Sequence, residues 1–325
     1  MTEAPALEIR DGIWLVRLPL PFPIGAVNVY LLRGRDGFLL IDCGLKTQAG
    51  RETLARALSH IGIAWTDIRQ ILVTHLHPDH FGLAAQARRL SGAAVLMHRV
   101  EAAWLSPRYL DNDFFSRHSE WLAENGVPPE EGDQIARASR SVAELIEMVE
   151  VDRLIEDGEQ LPIAGGALET VWTPGHSPGL VTFYFAPQRL YFSSDHMLEK
   201  ITPNIGLHRY SAENPLADYL ASLDRLKARE IDLILPGHGQ PFQGHREWIQ
   251  ATEEHHRDRC RRMLEAVADG EPTAYQVVGV IWGPHLSPMD ERFAVAETLA
   301  HLEYLRRQGQ VESRRDDGVV RWRAR

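Results

Sequence analysis

Four side chains that can bind a metal ion lie within residues 75–80, which read His-Leu-His-Pro-Asp-His. They are His75, His77, Asp79 and His80. Neutral imidazole nitrogens and carboxylate oxygens are ligands for zinc, iron(II) and manganese(II), and one loop can present several of them to an ion. Surface histidines without a ligand role would explain one or two of these residues, but hardly the whole cluster. We therefore predict a metal site, with zinc as the expected ion and iron or manganese as alternatives.

Three further candidates are spread along the second half of the chain. Each sits in a short turn at the end of an apolar run: His176 after Pro-Gly, Asp195 after Ser-Ser, and His238 after Pro-Gly. A single Gly-His pair is more often a plain turn than a ligand. Together with the first loop, however, the three complete a set of seven potential ligands. Such a set is enough for two metal ions with positions left for water and substrate.

The apolar pattern predicts which elements bring these residues together. Helical periodicity covers about residues 48–61 and 215–227, and short apolar or alternating runs predict strands between the turns. The predicted strands lie near residues 13–17, 27–32, 37–41, 68–74, 94–98, 167–172, 180–185, 190–193 and 233–236. Buried strands covered by helices in both halves of the chain predict an α/β fold, an αββα sandwich.

The chain is predicted to have two domains, a catalytic domain over residues 1–245 and a smaller domain over 246–325. Within the first, the helical, aromatic-rich segment at about 100–150 is a predicted insertion, which we expect to cover the site as a lid. The second combines helical patterns with a terminal hairpin, an order typical of a winged-helix-like domain. Four residues are candidates for substrate contact, although helix-spaced aromatic residues are more often core: Trp104, Tyr109, His208 and Tyr210.

The order of the seven candidates resembles that of the metallo-β-lactamase-fold hydrolase superfamily, and the resemblance covers about residues 10–245. It implies two metal sites that share Asp195 as a bridge. One site would use His75, His77 and His176, and the other Asp79, His80 and His238. Asp42 matches an acidic position that supports the ligands in this family, while a simple cap of the turn at Gly44 is the alternative.

By the same resemblance, a hydroxide that bridges the two metal ions attacks the substrate. Two divalent cations about 3.5–4 Å apart lower the pKa of a shared water towards neutrality. Asp79 is the predicted catalytic residue, since its carboxylate can orient the hydroxide and carry a proton to the leaving group. The chain also looks like the glyoxalase-II-like branch, which includes hydroxyacylglutathione hydrolases, and especially like members with a C-terminal winged helix.

Hydrolysis of a thioester or another activated ester is the function that we favour. A chain with a net charge of −10 and a compact lid suits a small substrate better than a polyanion. No clear basic cluster for the carboxylates of glutathione is visible in the sequence. The alternatives are a metal-dependent endoribonuclease or phosphodiesterase, and a ligand-sensing regulator that binds DNA. Arginines near the end of the chain would offer the phosphate contacts: Arg306, Arg307, Arg314, Arg315, Arg321, Arg323 and Arg325.

Composition restricts the remaining possibilities. The only cysteines, Cys43 and Cys260, imply no disulfide framework. The N-terminal residues lack a basic flank with an apolar run, and no long apolar stretch follows, so we expect a cytoplasmic protein without a membrane segment. The expected partner is a small-molecule substrate, and an apolar face on the C-terminal helices would allow a homo-oligomer.

Overall fold

Two β-sheets pack face to face in this structure, a computed structural model that describes residues 4–111 and 113–325. The strands of the first sheet lie side by side in chain order: β1 (Leu7–Arg10), β2 (Ile13–Pro19), β3 (Ala26–Arg33), β4 (Phe38–Ile41), β5 (Ile68–Val73), β6 (Ala94–His98) and β7 (Arg153–Ile155). Neighbouring strands are antiparallel from β1 to β4 and parallel from β4 to β7.

The second sheet also follows chain order: β8 (Gln160–Ile163), β9 (Gly166–Trp172), β10 (Val181–Phe185), β11 (Leu190–Ser194) and β12 (Leu233–Pro236). Its strands are antiparallel except for the parallel pair β11 and β12. The α-helices run in the order α1 (Gln48–Ile61), α2 (Pro78–Phe81), α3 (Ala84–Ser91), α4 (Arg99–Tyr109), α5 (Phe114–Glu124), α6 (Pro129–Ala143), α7 (Pro215–Leu226), α8 (His245–Ala266), α9 (Ala274–Trp282) and α10 (Pro288–Arg307).

The central strands are apolar on both faces because both faces are covered. In β3, Tyr30 and Leu32 pack between the two sheets, whereas Val29 and Leu31 pack towards the helices that cover the first sheet. Helices α1 and α3 contribute to that outer layer, and α7 covers the second sheet with Tyr219. The predicted αββα sandwich is therefore confirmed.

Helices α4, α5 and α6 lie between β6 and β7 and form the predicted helical insertion. Leu122 of α5 and Ile135 of α6 are fully buried in the same apolar cluster as Val295 and Leu302 of α10. The insertion thus shares a core with the C-terminal helices. This shared core fixes the insertion beside the second sheet.

The C-terminal part contains α8, α9 and α10 and a hairpin of β13 (Val311–Asp316) and β14 (Val319–Ala324), in the predicted order. Thr273 and Gln276 form a capping box at the start of α9, and the Ser287 side chain caps α10. The division of the chain at residue 245 and the winged-helix assignment stay predictions.

Both cysteines are free and buried. No helix in the described residues has the length and apolar character needed to cross a bilayer.

We predict that Leu122→Ala lowers the free energy of unfolding by about 2–5 kcal/mol, because it opens a cavity between the insertion and the C-terminal helices. Urea denaturation followed by circular dichroism measures the change. Val280→Ala is the control, since Val280 is 66% exposed on α9, and it should alter stability by about 0.5 kcal/mol or less. An effect of Leu122→Ala no larger than the control would contradict the shared core.

Candidate metal centre

The seven predicted ligands lie at strand ends from both sheets. Strand β5 leads into the loop of His75 and His77, and Pro78 then starts the single-turn helix α2, which carries Asp79 and His80. The other three follow strands of the second sheet: His176 after β9, Asp195 after β11 and His238 after β12. Packing of the two sheets brings these distant segments into one cluster.

The first group of donor atoms consists of His75, His77 and His176. The Nδ1 atom of His77 lies 3.0 Å from His75 Nε2 and 2.9 Å from His176 Nε2. All donor atoms of the group lie within 4.8 Å of one another, close enough to bind a single ion. The structure thus brings together the residues that the resemblance assigns to one metal.

The second group consists of Asp79, His80 and His238. The Oδ2 atom of Asp79 lies 3.3 Å from His238 Nε2 and 3.9 Å from His80 Nε2. Asp195 lies between the two groups, because its Oδ1 is 3.4 Å from His80 Nε2 and its Oδ2 is 3.5 Å from His176 Nε2. This is the position that a bridging carboxylate needs.

The ring nitrogens that face away from the cluster are held by oxygen acceptors. In each of three histidines Nδ1 donates a hydrogen bond of 2.8 Å, from His80 to Asp42, from His176 to the Asn204 carbonyl and from His238 to the Ala26 carbonyl. Because Nδ1 carries the proton, Nε2 is the atom left to face the centre. This is the orientation that a metal ligand requires.

Burial and mutual attraction set the charges in the cluster. Burial, reinforced by repulsion from neighbouring histidines, lowers the pKa of His75 and His77 well below the ordinary value, so both are neutral at pH 7. Burial also opposes protonation of His238, but Asp195 raises its pKa to about 10. For Asp195, burial opposes the charged form, but His238 and His80 hold the pKa of its carboxyl well below the usual range. The carboxylate is therefore ionised and available to a cation.

Two buried atoms in the cluster have no hydrogen-bond partner among the described residues, His80 Nε2 and Asp195 Oδ1. An unsatisfied buried polar atom costs about 1–3 kcal/mol, and native proteins contain few of them. A divalent cation would satisfy both atoms, and zinc, iron and manganese all accept this mixture of nitrogen and oxygen donors. The residues present therefore fit a metal centre.

The carboxylate of Asp42 is directed into the site rather than towards the turn at Gly44. Its Oδ1 accepts the Thr74 main-chain N–H, and its Oδ2 accepts the Thr74 hydroxyl and His80 Nδ1, each at 2.8 Å. Asp42 has a φ of +59°, a conformation that non-glycine residues rarely adopt outside constrained positions. The contacts agree with the predicted support of the ligands.

A cavity of about 620 Å³ opens onto the candidate ligands, and its size suits a small molecule. Part of its wall is formed by the cluster, including Asp79 and Asp195. Most of the remaining wall is apolar and comes from the loop between β2 and β3, the insertion, the loop between β11 and α7, and α10: Phe22, Pro23, Ile24, Phe114, Val142, Ile201, Met289 and Phe293.

Family models match most of the chain. The model of the metallo-beta-lactamase superfamily matches residues 23–238, and a model described as the metallo-beta-lactamase-like C-terminal domain matches residues 260–325. The chain belongs to the metallo-beta-lactamase superfamily. Members of this superfamily typically bind divalent metals, in agreement with the His/Asp groups of the structure.

Individual members of the superfamily resemble the chain over most of its length. A metallo-beta-lactamase family protein from Thermus thermophilus is 34% identical, with a TM-score of 0.86, and the match covers 98% of this chain and 100% of that one. The probable metallo-hydrolase YqjP of Bacillus subtilis is 26% identical over 93% of this chain and 95% of its own length. Human acyl-coenzyme A thioesterase MBLAC2 is 25% identical over 74% of this chain and 82% of its own. These relatives support a hydrolase.

The four residues predicted to contact substrate differ in their positions relative to the cavity. Tyr109 lines the cavity, although its hydroxyl donates a hydrogen bond to a main-chain carbonyl of the first ligand loop. His208 lines a smaller recess beside the first ligand group. Trp104 and Tyr210 contact each other, with ring centroids 5.3 Å apart, and are not among the described residues that line the larger cavity. Contact of these four residues with substrate stays a prediction.

Glu101 is a site residue that the sequence analysis missed. This fully buried side chain of α4 accepts the main-chain N–H of Leu76 at 2.8 Å and that of Gly179 at 2.7 Å, and it also accepts the Ser177 hydroxyl. Leu76 lies between two candidate ligands and Ser177 follows His176, so one carboxylate ties two ligand loops together. A single glutamate in the first turn of a helix carries no sequence signal for this role.

We predict that Glu101→Gln weakens metal binding about 10–100-fold, because an amide N–H would face one of the donors that the carboxylate now accepts. Chelator competition with the metal-loaded protein measures the affinity, and circular dichroism checks that the variant is folded. The control is Glu150→Gln, whose side chain is 79% exposed. Equal metal affinity in a folded Glu101→Gln and in the control would show that Glu101 does not position the ligands.

Proposed function

We propose that this chain is a dinuclear metal hydrolase that cleaves a thioester or another activated ester. The observation that carries the proposal is the pair of ligand groups that share Asp195 at the wall of a mostly apolar cavity. An apolar cavity of this size accommodates an acyl chain while the ester group reaches the cluster.

The two ligand groups would hold two divalent ions, with zinc expected and iron or manganese as alternatives. His75, His77 and His176 would bind one ion, Asp79, His80 and His238 the other, and Asp195 both. Bound there, the ions would supply a water of lowered pKa and polarise the carbonyl of the ester.

Asp79 is the residue that we propose for proton transfer. Its side chain lines the cavity and is 20% exposed, whereas the buried His80 is closed off from it. Burial opposes ionisation of Asp79, but His80 and a hydrogen bond to His238 lower its pKa, so the carboxylate is an acceptor at neutral pH. It can therefore take a proton from the attacking water and return it to the departing thiol or alcohol.

The resemblance to human MBLAC2, which is named an acyl-coenzyme A thioesterase, supports a thioester as one member of the substrate class. The glyoxalase-II-like relationship, the winged helix at 246–325 and a cytoplasmic location belong to the same proposal and rest on the sequence. Homo-oligomerisation is likewise an expectation from the sequence.

Hydrolysis of RNA and DNA binding are less well supported. Both alternatives need cationic side chains that are free to contact phosphates. The arginines near the chain end instead lie in ion pairs with acidic residues of the same chain: Arg306 and Arg307 with Glu303, Arg314 with Glu271, Arg315 with Glu124, Arg321 with Asp316, and Arg323 and Arg325 with Glu312. We therefore favour a small-molecule substrate.

We predict that the metal-loaded protein hydrolyses acyl thioesters or aryl esters and that Asp79→Asn lowers kcat by about 100-fold or more, because the amide cannot accept the proton. A panel of thioesters, lactones, phosphodiesters and single-stranded RNA tests the substrate class, and elemental analysis gives the metal content of each variant. Asp232→Asn, whose side chain is 58% exposed, is the control. Turnover of RNA without turnover of any ester would reject the proposal, as would full activity in Asp79→Asn.

A further inference from the structure

Two arginines from distant parts of the chain line the same cavity. Arg108 lies near the end of α4 in the insertion, and Arg292 lies in the first turns of α10. Neither guanidinium forms an ion pair with a carboxylate anywhere in the described part of the chain, unlike the arginines near the chain end. The cavity therefore contains two positive charges that the protein itself does not neutralise.

The contacts of the two guanidinium groups are aromatic or weakly polar. The guanidinium carbon of Arg108 lies 5.6 Å from the ring centroid of Tyr109, and that of Arg292 lies 5.4 Å from the ring centroid of Phe293. The Nη1 atom of Arg292 also lies 3.7 Å from the sulfur of Met289. Such contacts hold the planar groups in place while leaving most of their N–H donors for a ligand.

The charges of Arg108 and Arg292 act on the groups around them. Burial, followed by repulsion from Arg108, lowers the pKa of Arg292 to about 10. Burial and the same two arginines lower the pKa of His118 to about 3 and that of His208 well below its ordinary value. At neutral pH both histidines are uncharged, so the positive potential on this side of the cavity belongs to the arginines.

The acidic residues of the cavity wall have other partners. Asp79 and Asp195 belong to the candidate metal cluster, and Asp290 accepts the Ser287 hydroxyl at 2.6 Å at the start of α10. An unpaired buried cation is costly, and its cost is offset when an anion binds beside it. Guanidinium groups bind carboxylates and phosphates through parallel hydrogen bonds.

We infer that the site takes an acidic substrate, an ester or thioester whose apolar chain ends in a carboxylate or phosphate that Arg108 and Arg292 bind. This inference rests on the ester hydrolysis proposed above and names its substrate class. The apolar wall would cover the chain of the substrate, and the ester group would lie at the cluster. The insertion and α10 would then select the substrate together.

Three esters of equal chain length test this inference: p-nitrophenyl octanoate, mono-p-nitrophenyl suberate, and the corresponding ester with a terminal phosphate. We expect kcat/KM of the metal-loaded protein to be about tenfold or more higher for an acidic ester than for the neutral one. Preference for the carboxylate or for the phosphate identifies the anion. Arg108→Met and Arg292→Met should each lower the ratio of acidic to neutral kcat/KM by about tenfold.

Arg292→Lys retains the charge and should keep part of the preference, which separates charge recognition from a change in folding. Arg307→Met, on the same helix and paired with Glu303, is the control and should keep the wild-type ratio. Equal kcat/KM for acidic and neutral esters in the wild type would overturn the inference and leave the proposed function standing.

If no ester is hydrolysed, the proposed function fails, and the anion site is then judged by binding alone. Calorimetric titration of the metal-loaded protein with suberate and with inorganic phosphate provides this readout. Binding that is lost in Arg292→Met and retained in Arg307→Met would support the site. Absence of binding, or binding that is equal in both variants, would overturn it.

Discussion

The structure depends on one constraint, the confinement of polar donor atoms in a small buried volume. The imidazoles and carboxylates of the cluster approach one another to about 3–4 Å, and His80 and Asp195 each have an atom without a hydrogen-bond partner in the described residues. Such a cluster is stabilised when rings are held from outside it. Asp42, the Asn204 carbonyl and the Ala26 carbonyl provide that support from three different segments.

The strand ends beside the cluster have unusual backbone conformations for the same reason. Asp42, directly after β4, and Ser194, the last residue of β11, have φ values of +59° and +47°. The Thr74 hydroxyl lies 2.8 Å from both Asp42 Oδ2 and Ser194 Oγ, so it joins the two sheets directly behind the ligands. A Cβ on Gly237 would overlap Asp195 Oδ1, which explains the glycine before His238. Local strain here is balanced by a dense hydrogen-bond network.

The sequence predicted features that depend on local spacing. The ligands at 75–80 and the turn residues His176, Asp195 and His238 could be found because each follows an apolar strand. The strands and the helical insertion could be predicted for the same reason, since periodicity of two or 3.6 residues is a local property. Assignment of the ligands to two groups came from the resemblance, and the structure brings the same residues together.

Features that depend on distant partners could not be predicted in this way. The hydrogen bonds from the loops at Leu76 and Gly179 to Glu101 form only when α4 packs against those loops. Arg108 and Arg292 come to the same cavity only when the insertion and α10 pack together. These two arginines are far apart along the chain, so the sequence shows no basic cluster for carboxylates. Two of the ion pairs of the terminal arginines, Arg314 with Glu271 and Arg315 with Glu124, also join distant positions and could not be predicted from local spacing.

Helix α10 forms part of the cavity wall, so it contributes to the candidate site as well as to the apolar core. The Asn204 side chain donates hydrogen bonds to the Phe293 carbonyl at 3.3 Å and to Glu297 at 3.2 Å, while its own carbonyl accepts His176 Nδ1. Asn204 thus links the candidate metal ligand His176 to α10. The same helix places Arg292 and Phe293 in the cavity wall. A shift of α10 would therefore move the cavity wall that selects the substrate and, through Asn204, the ring of His176.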